Sequence, residues 1–184
     1  PEVAARALAE FDGLRATREQ AGVTCAVLDD TAEPVRPDAV FPNNWVSFHG
    51  DGTMIVYPMA NPLRRLERRP DALRALVAGR GLSVARVIDL SPLEQNGEFL
   101  EGTGSLILDR PRGRAFACRS PRTTAGAVRA FERATGWSVT LFDAADRHGR
   151  AIYHSNVMLS LGSRFALVCA EAIAPAEREQ VLAA

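Results

Sequence analysis

The sequence predicts an α/β protein assembled from repeated modules, and three observations carry that prediction. Three segments share one layout: NWVSFHGDGTMIVYPM from Asn44, EGTGSLILDRPRGRAFACRS from Glu101 and HSNVMLSLGSRFALVCAEAI from His154. Each has a polar residue at its mouth, an apolar strand, a turn bearing Gly or Pro, and a second apolar strand, the pattern of a β-hairpin. Each hairpin is followed by a helix candidate, and the mouth residues stand 57 and 53 positions apart, a nearly constant period. A repeat of this length suits modules around an axis, or a solenoid.

Taken in order, PEVAARALAEF reads as an opening helix and VTCAVL as a single strand after it. Two adjacent amides, Asn43 and Asn44, then stand at the mouth of the first hairpin, although amides are poor strand formers. A helix is expected from about Leu63 to Ala78, where PDALRALVAGRG places apolar residues at 73, 76 and 77 and closes on glycine. LSVARVIDL reads as the next strand, Thr123 to Thr135 as a helix, WSVTLF as a strand, and Pro175 to the end as a helix. If Gly162 and Ser163 form a two-residue turn, Leu161 pairs with Arg164 and Cys169 faces Asn156 on the His154 side of the ribbon. The repeating unit reads as helix, strand, hairpin.

Composition narrows the function. With 184 residues, 47% hydrophobic and 24% charged, the chain is an ordinary globular domain with enough length for a core. Its 22 basic residues, all arginine, balance 22 acidic ones, which gives no electrostatic handle for nucleic acid or an anionic membrane. RRLERRP at 64–70 accordingly reads as a solvated helix start. No apolar run is long enough to span a bilayer and no leader is visible, while both ends read as cut from something longer. Cys25, Cys118 and Cys169 form no CxxC pair and lack a histidine at metal-ligand spacing. Free thiols in a reducing, cytoplasmic compartment and no bound metal are expected. The GDG and DRPRG tips precede no helix, so they are not phosphate loops, and no cofactor is expected. His49 and His148 lie in glycine-containing turns where exposure is ordinary. Trp45 either walls a pocket or belongs to the core.

Singly, Asn44, Glu101 and His154 are what turns and strand rims usually contain. In a ring, however, equivalent positions face one centre, so the three converge into a constellation of an amide, a carboxylate and an imidazole.

FPNNWVS, NPLRRLERR, FLEGTGSLILDR, SPRT and IYHSNVML, in this order and at these separations, resemble the citrulline-utilisation hydrolase group of the arginine deiminase and amidinotransferase superfamily. The resemblance runs from about Phe11 to about Arg178. It implies the pentein fold, an α/β propeller of five ββαβ-type modules around a pseudo-fivefold axis that carries the active site. This chain would supply about three modules and the opening of a fourth, roughly 1–60, 61–119, 120–173 and 174–184 of one catalytic domain.

The same resemblance implies that His154 is the catalytic histidine and Glu101 the carboxylate that grips the substrate's nitrogen atoms. Asn44, with Asn43 beside it, falls where guanidine-hydrolysing relatives carry an aspartate, and Gly104 where they carry a second one. One of Arg64 and Arg65 would reach the substrate's α-carboxylate from the rim. With two anionic contacts missing the substrate stays open, since carboxylates hold a guanidinium best whereas an amide, offering both donor and acceptor, can meet a neutral ureido group. Some relatives with asparagine here are arginine dihydrolases, so arginine and citrulline both remain.

Superfamily chemistry is covalent: a cysteine thiolate attacks the central carbon, a nitrogen leaves, and water resolves the adduct. Histidine suits the acid and base roles because it titrates near neutrality. The nucleophilic cysteine is expected beyond residue 184, with Cys169 the foremost local substitute, ahead of Cys118 and Cys25. The expected partner is a small guanidino or ureido amino acid, with no nucleic acid and no membrane; a homo-oligomer is compatible with the sequence. Two alternatives stand beside the hydrolase, an amidinotransferase and a non-enzymatic pentein binding protein such as the ribosome anti-association factor.

Overall fold

Each of the three hairpins seeds its own small sheet. In a computed structural model describing residues 2–184, helix α1 (Glu2–Gln20) precedes strands β1 (Val46–Phe48) and β2 (Thr53–Val56). Helices α2 (Pro62–Arg65) and α3 (Pro70–Ala78) follow, then β3 (Arg86–Asp89). The single turn α4 (Gly102–Ser105) introduces β4 (Ile107–Asp109) and β5 (Arg114–Cys118), succeeded by α5 (Ala125–Thr135) and β6 (Ser138–Phe142). Strands β7 (Leu159–Leu161) and β8 (Ala166–Val168) and helix α6 (Pro175–Ala183) complete the order.

Strand pairing revises the order of the repeating unit. β1 and β2 are antiparallel, and β3 joins the outer side of β2 in parallel, with Met54 opposite Val87. β6 joins β5 in the same way, with Phe116 opposite Thr140. Parallel neighbours need a crossover, which α3 and α5 supply. A strand after a helix therefore completes the hairpin before it, and the sheet unit is hairpin, helix, strand.

This explains why VTCAVL is not a strand. Residues 23–28 have no hairpin before them among the described residues, and without a ladder partner their backbone remains irregular. No residue of α1 is buried. Among the described residues β8 likewise has only β7 beside it, and Leu167 on it is 71% exposed.

The helix expected over 63–78 is two helices. Pro70 disfavours helical backbone at Arg69, which sits at φ −130° and ψ 63°, and then serves as the first residue of α3. Positions 73, 76 and 77 are half-buried, as their spacing requires. The third hairpin also has another register: Leu161 pairs with Ala166, and Cys169 donates to the Met158 carbonyl at 2.9 Å. Its loop is closed by Gly162 N–H donating to Phe165 O at 2.8 Å. The Phe165 ring lies on Gly162, where a Cβ would come within 2.5 Å of it.

Three clusters make the core. β5 alternates between two of them, Ala115 and Ala117 meeting Phe131 and Val128 of α5, Phe116 and Cys118 meeting Phe142, Met158 and Val181. A strand covered on both faces reads as continuously apolar, as RAFAC nearly does. Phe131 is fully buried, which contributes about 1.5–3 kcal/mol. Trp45 packs with Val46, Met54, Val56 and Met59 and is core. No helix among the described residues is long and apolar enough to cross a membrane.

Candidate active site

A single helical turn introduces each hairpin: Pro42–Asn44, α4, and Ser155–Val157. α4 lies against both of the others. Its glycines allow this. Gly102 has φ 46°, and a Cβ there would stand 2.2 Å from the Asn43 carbonyl oxygen. At Gly104 a Cβ would stand 2.4 Å from Asn44 Nδ2 and 3.1 Å from His154 Nδ1. EGTGS thus carries glycine where the neighbouring turns approach most closely.

Asn44, Glu101 and His154 are brought together, but not from equivalent repeat positions. Glu101 and His154 stand just before their turns, whereas Asn44 is the last residue of its own. They meet because the turns pack against one another. Asn43 contributes its backbone carbonyl, which accepts from Thr103 Oγ1 at 3.5 Å.

Glu101 is fully buried and accepts three hydrogen bonds. Oε1 takes the Ala60 N–H at 3.0 Å, and Oε2 takes His154 Nε2 at 2.8 Å and Arg122 Nη1 at 3.2 Å. Burial pushes its carboxyl up, but the bonds from His154 and Ala60 and the Arg122 charge outweigh it, so Glu101 is more acidic than an ordinary glutamate. An ionised carboxylate only accepts, so His154 Nε2 carries the proton. In the neutral ring, Nδ1 then holds the lone pair, on the Gly104 side.

Two serines fasten these turns. Ser105 Oγ accepts from Glu101 N at 3.0 Å, and Ser155 Oγ accepts from Cys118 N at 2.8 Å while donating to Ser105 O at 2.7 Å. Sequence reasoning overlooked both, and Arg122 too, though all three lie in motifs it quoted. Arg122 also sits over the Tyr153 ring, 5.8 Å from its centroid, and that ring packs beside His154.

RRLERRP is not a solvated face. Arg64 and Glu67 are 6% and 4% exposed. Arg64 grips Glu67 through Nε at 2.8 Å and Nη2 at 2.9 Å and donates to Asn44 Oδ1 from Nη1 at 3.0 Å. A guanidinium this deep needs such partners, so Arg64 is an interior clamp and not a rim contact. Arg65 donates to the Met59 carbonyl at 2.9 Å and pairs with Glu94 at 3.2 Å.

His49 is half-buried rather than exposed, and its Nε2 lies 2.9 Å from Ser47 Oγ. Arg110, 3.4 Å from Nδ1, can only donate, so Nε2 bears the proton and cannot take that of Ser47. Ser47 also bonds Tyr57 Oη at 2.8 Å, which makes this a core network. Burial pushes the Cys118 thiol up, Cys169 is exposed, and no cysteine bonds Glu101 or His154 among the described residues. No cluster of three metal-ligating side chains occurs there either. The apolar groove of about 560 Å³ between β4–β5, β7–β8 and α6 shares no residue with the Glu101–His154 cluster.

No curated protein sequence matches the chain. Among solved structures, the fold matches apo ArgZ, an arginine dihydrolase from the ornithine–ammonia cycle in Cyanobacteria, at TM-score 0.69 and 19% identity. That match covers 96% of this chain and 26% of the other. The product-bound N-terminal domain of ArgZ matches at TM-score 0.70 and 19% identity, covering 96% of this chain and 59% of that one. A dimethylarginine dimethylaminohydrolase adduct with 4-chloro-2-hydroxymethylpyridine matches at 0.50 and 18%, covering 72% and 48%. The chain thus spans between about a quarter and three fifths of these proteins' lengths. The family model for N,N dimethylarginine dimethylhydrolase, eukaryotic, matches residues 1–184. With the whole chain matched and the fold shared, the protein belongs to the N,N dimethylarginine dimethylhydrolase, eukaryotic, family and so to the pentein superfamily.

Proposed function

We propose that the protein hydrolyses the C–N bond of a guanidino or ureido amino acid, with His154 moving the proton and Glu101 gripping the substrate's N–H groups. The observation that carries this reading is the 2.8 Å contact between His154 and a fully buried, ionised Glu101, where Gly104 lets Asn44 and His154 approach closely. A buried carboxylate held ionised beside an imidazole is an arrangement that concentrates at functional sites.

In this scheme a cysteine thiol, from beyond residue 184, gives its proton to the Nδ1 lone pair of His154, and the resulting thiolate attacks the central carbon. His154 delivers a proton to the departing nitrogen as the C–N bond breaks, and the electron pair leaves on that nitrogen. Water then adds to the carbon, giving its proton to the Nδ1 lone pair, and the thiolate departs. The charge of Glu101 stabilises the cationic carbon centre throughout. The finer assignment, to the citrulline-utilisation group with a five-module propeller, is supported by the FPNNWVS, EGTGS and YHSNVM motifs.

The test offers the full-length protein L-arginine, L-citrulline and dimethylarginine side by side and scores ammonia, alkylamine, citrulline and ornithine. Release of ammonia or alkylamine is expected from at least one. Consumption of none rejects the hydrolase, and amidine transfer to an added amine replaces it by the transferase.

A further inference from the structure

Glu101 takes one of its hydrogen bonds from the Ala60 N–H, and that donor belongs to a segment outside the helices and strands. Residues 57–60, YPMA, span the gap between β2 and α2, and Tyr57, Pro58 and Met59 are buried. Backbone buried without a ladder or helix of its own must find partners elsewhere. Here Arg68 meets the Tyr57 carbonyl at 3.4 Å, the Leu100 N–H meets that of Pro58 at 3.1 Å, and Arg65 Nε meets that of Met59 at 2.9 Å. The two amides after the proline go to two carboxylates. Met59 N–H donates to Glu94 Oε1 at 2.7 Å and Ala60 N–H to Glu101 Oε1 at 3.0 Å.

Glu94 joins these contacts. Its side chain is 9% exposed, pairs with Arg65 at 3.2 Å and meets both terminal nitrogens of Arg68. The arginines that hold two of the segment's carbonyls therefore also hold the carboxylate on its amide. RRLERR divides by position accordingly: Arg64 and Glu67 serve Asn44, whereas Arg65 and Arg68, three residues apart, grip Glu94 and residues 57–59.

We infer that Glu94 is a positioning residue that pins residues 57–60 so that the Ala60 N–H stays on Glu101. The inference rests on the hydrolase reading above, in which Glu101 grips the substrate, and Glu94 itself bonds neither Glu101 nor His154 among the described residues. A carboxylate is less acidic once a backbone donor leaves it. The other charges facing Glu101 stay in place: His154 and Arg122 on Oε2, and Arg64 from farther away.

The experiment follows the Glu101 carboxyl carbon by carbon NMR in the full-length protein carrying labelled glutamate, its signal identified by its absence from Glu101→Gln. In Glu94→Ala the titration midpoint of Glu101 should rise by about one pH unit, the size of one hydrogen bond to a charged acceptor. A fall in kcat/KM of about tenfold or more should accompany it. Removing a neighbouring negative charge can by itself only lower that midpoint, so the sign separates positioning from electrostatics. Glu94→Gln keeps an acceptor for the Met59 N–H and should show no rise. Glu94→Asp keeps the charge but falls one methylene short of that N–H; its midpoint should rise too, and it decides if Glu94→Ala does not fold. An unchanged or lower midpoint in folded Glu94→Ala or Glu94→Asp, an equal rise in Glu94→Gln, or an unchanged kcat/KM overturns the inference. Absence of turnover in the wild type removes the hydrolase reading instead, and the titration alone then decides the role of Glu94.

Discussion

His154 Nε2 lies 2.8 Å from Glu101 Oε2 although 53 residues separate them along the chain. Glu101 is held as well by the Ala60 N–H and Arg122, so His154 can be altered without leaving the carboxylate unpartnered, whereas the imidazole has Glu101 as its one side-chain hydrogen-bond partner among the described residues.

His154→Ala in the full-length protein should lower kcat about a hundred- to ten-thousand-fold, the usual size of a general acid–base contribution. Glu101 keeps two partners, so the unfolding midpoint should move little. Steady-state rates and a urea titration check both; retained turnover contradicts the proton-moving role.

Glu101 makes stability depend on pH with a definite sign. Its folded value lies below the ordinary 4.5, so between the two values the unfolded state binds more protons. Its contribution is complete above the ordinary value and is lost as pH falls through the folded one. Urea midpoints taken between about pH 6 and pH 3 should therefore fall less steeply in Glu101→Gln than in the wild type. Parallel acid limbs would reject an ionised Glu101.

Gly104→Ala should disable the site and cost stability together. The new Cβ would meet Asn44 Nδ2 at 2.4 Å, and Arg64 restrains that amide from moving. A drop in kcat/KM of about tenfold or more is expected, with a loss of about 1–3 kcal/mol in urea unfolding. Wild-type kinetics and stability would mean that the close approach of the turns is not required.

Ser155→Ala should cost stability instead. It orphans the Cys118 N–H and the Ser105 carbonyl, both belonging to fully buried residues. A loss of about 1–3 kcal/mol in urea unfolding is expected, and an unchanged midpoint would show that the link is dispensable.

Much of this arrangement was legible in the sequence. Hairpins announce themselves through turn residues between apolar runs, and α5 and α6 fall where the sequence puts them, because both signals are local. Non-local facts were harder to read. VTCAVL has strand composition, yet a strand exists only with a partner, and pairing order is not written in composition. The register of β7 with β8 leaves a four-residue loop, 162–165, closed by the Gly162 N–H on the Phe165 carbonyl, where the turn residues alone suggested a two-residue one.

Within the site, the convergence of Asn44, Glu101 and His154 was foreseen from their period, although the reason differed: packed turns, not equivalent positions. Arg64 was misread because charge runs usually face water. What distinguished it was Glu67 one turn along, which supplied the counter-charge needed to bury it. Ser105 and Ser155 are small and common, and only the geometry of their bonds separates them from ordinary turn serines.

Among the described residues the outer side of β8 has no neighbour, and its middle side chain, Leu167, faces solvent. Such a margin is a ready template for an extended segment, since its N–H and C=O groups are unpaired in the ladder. A strand laid along it in parallel, as β3 lies along β2 and β6 along β5, would cover Leu167 and close that border.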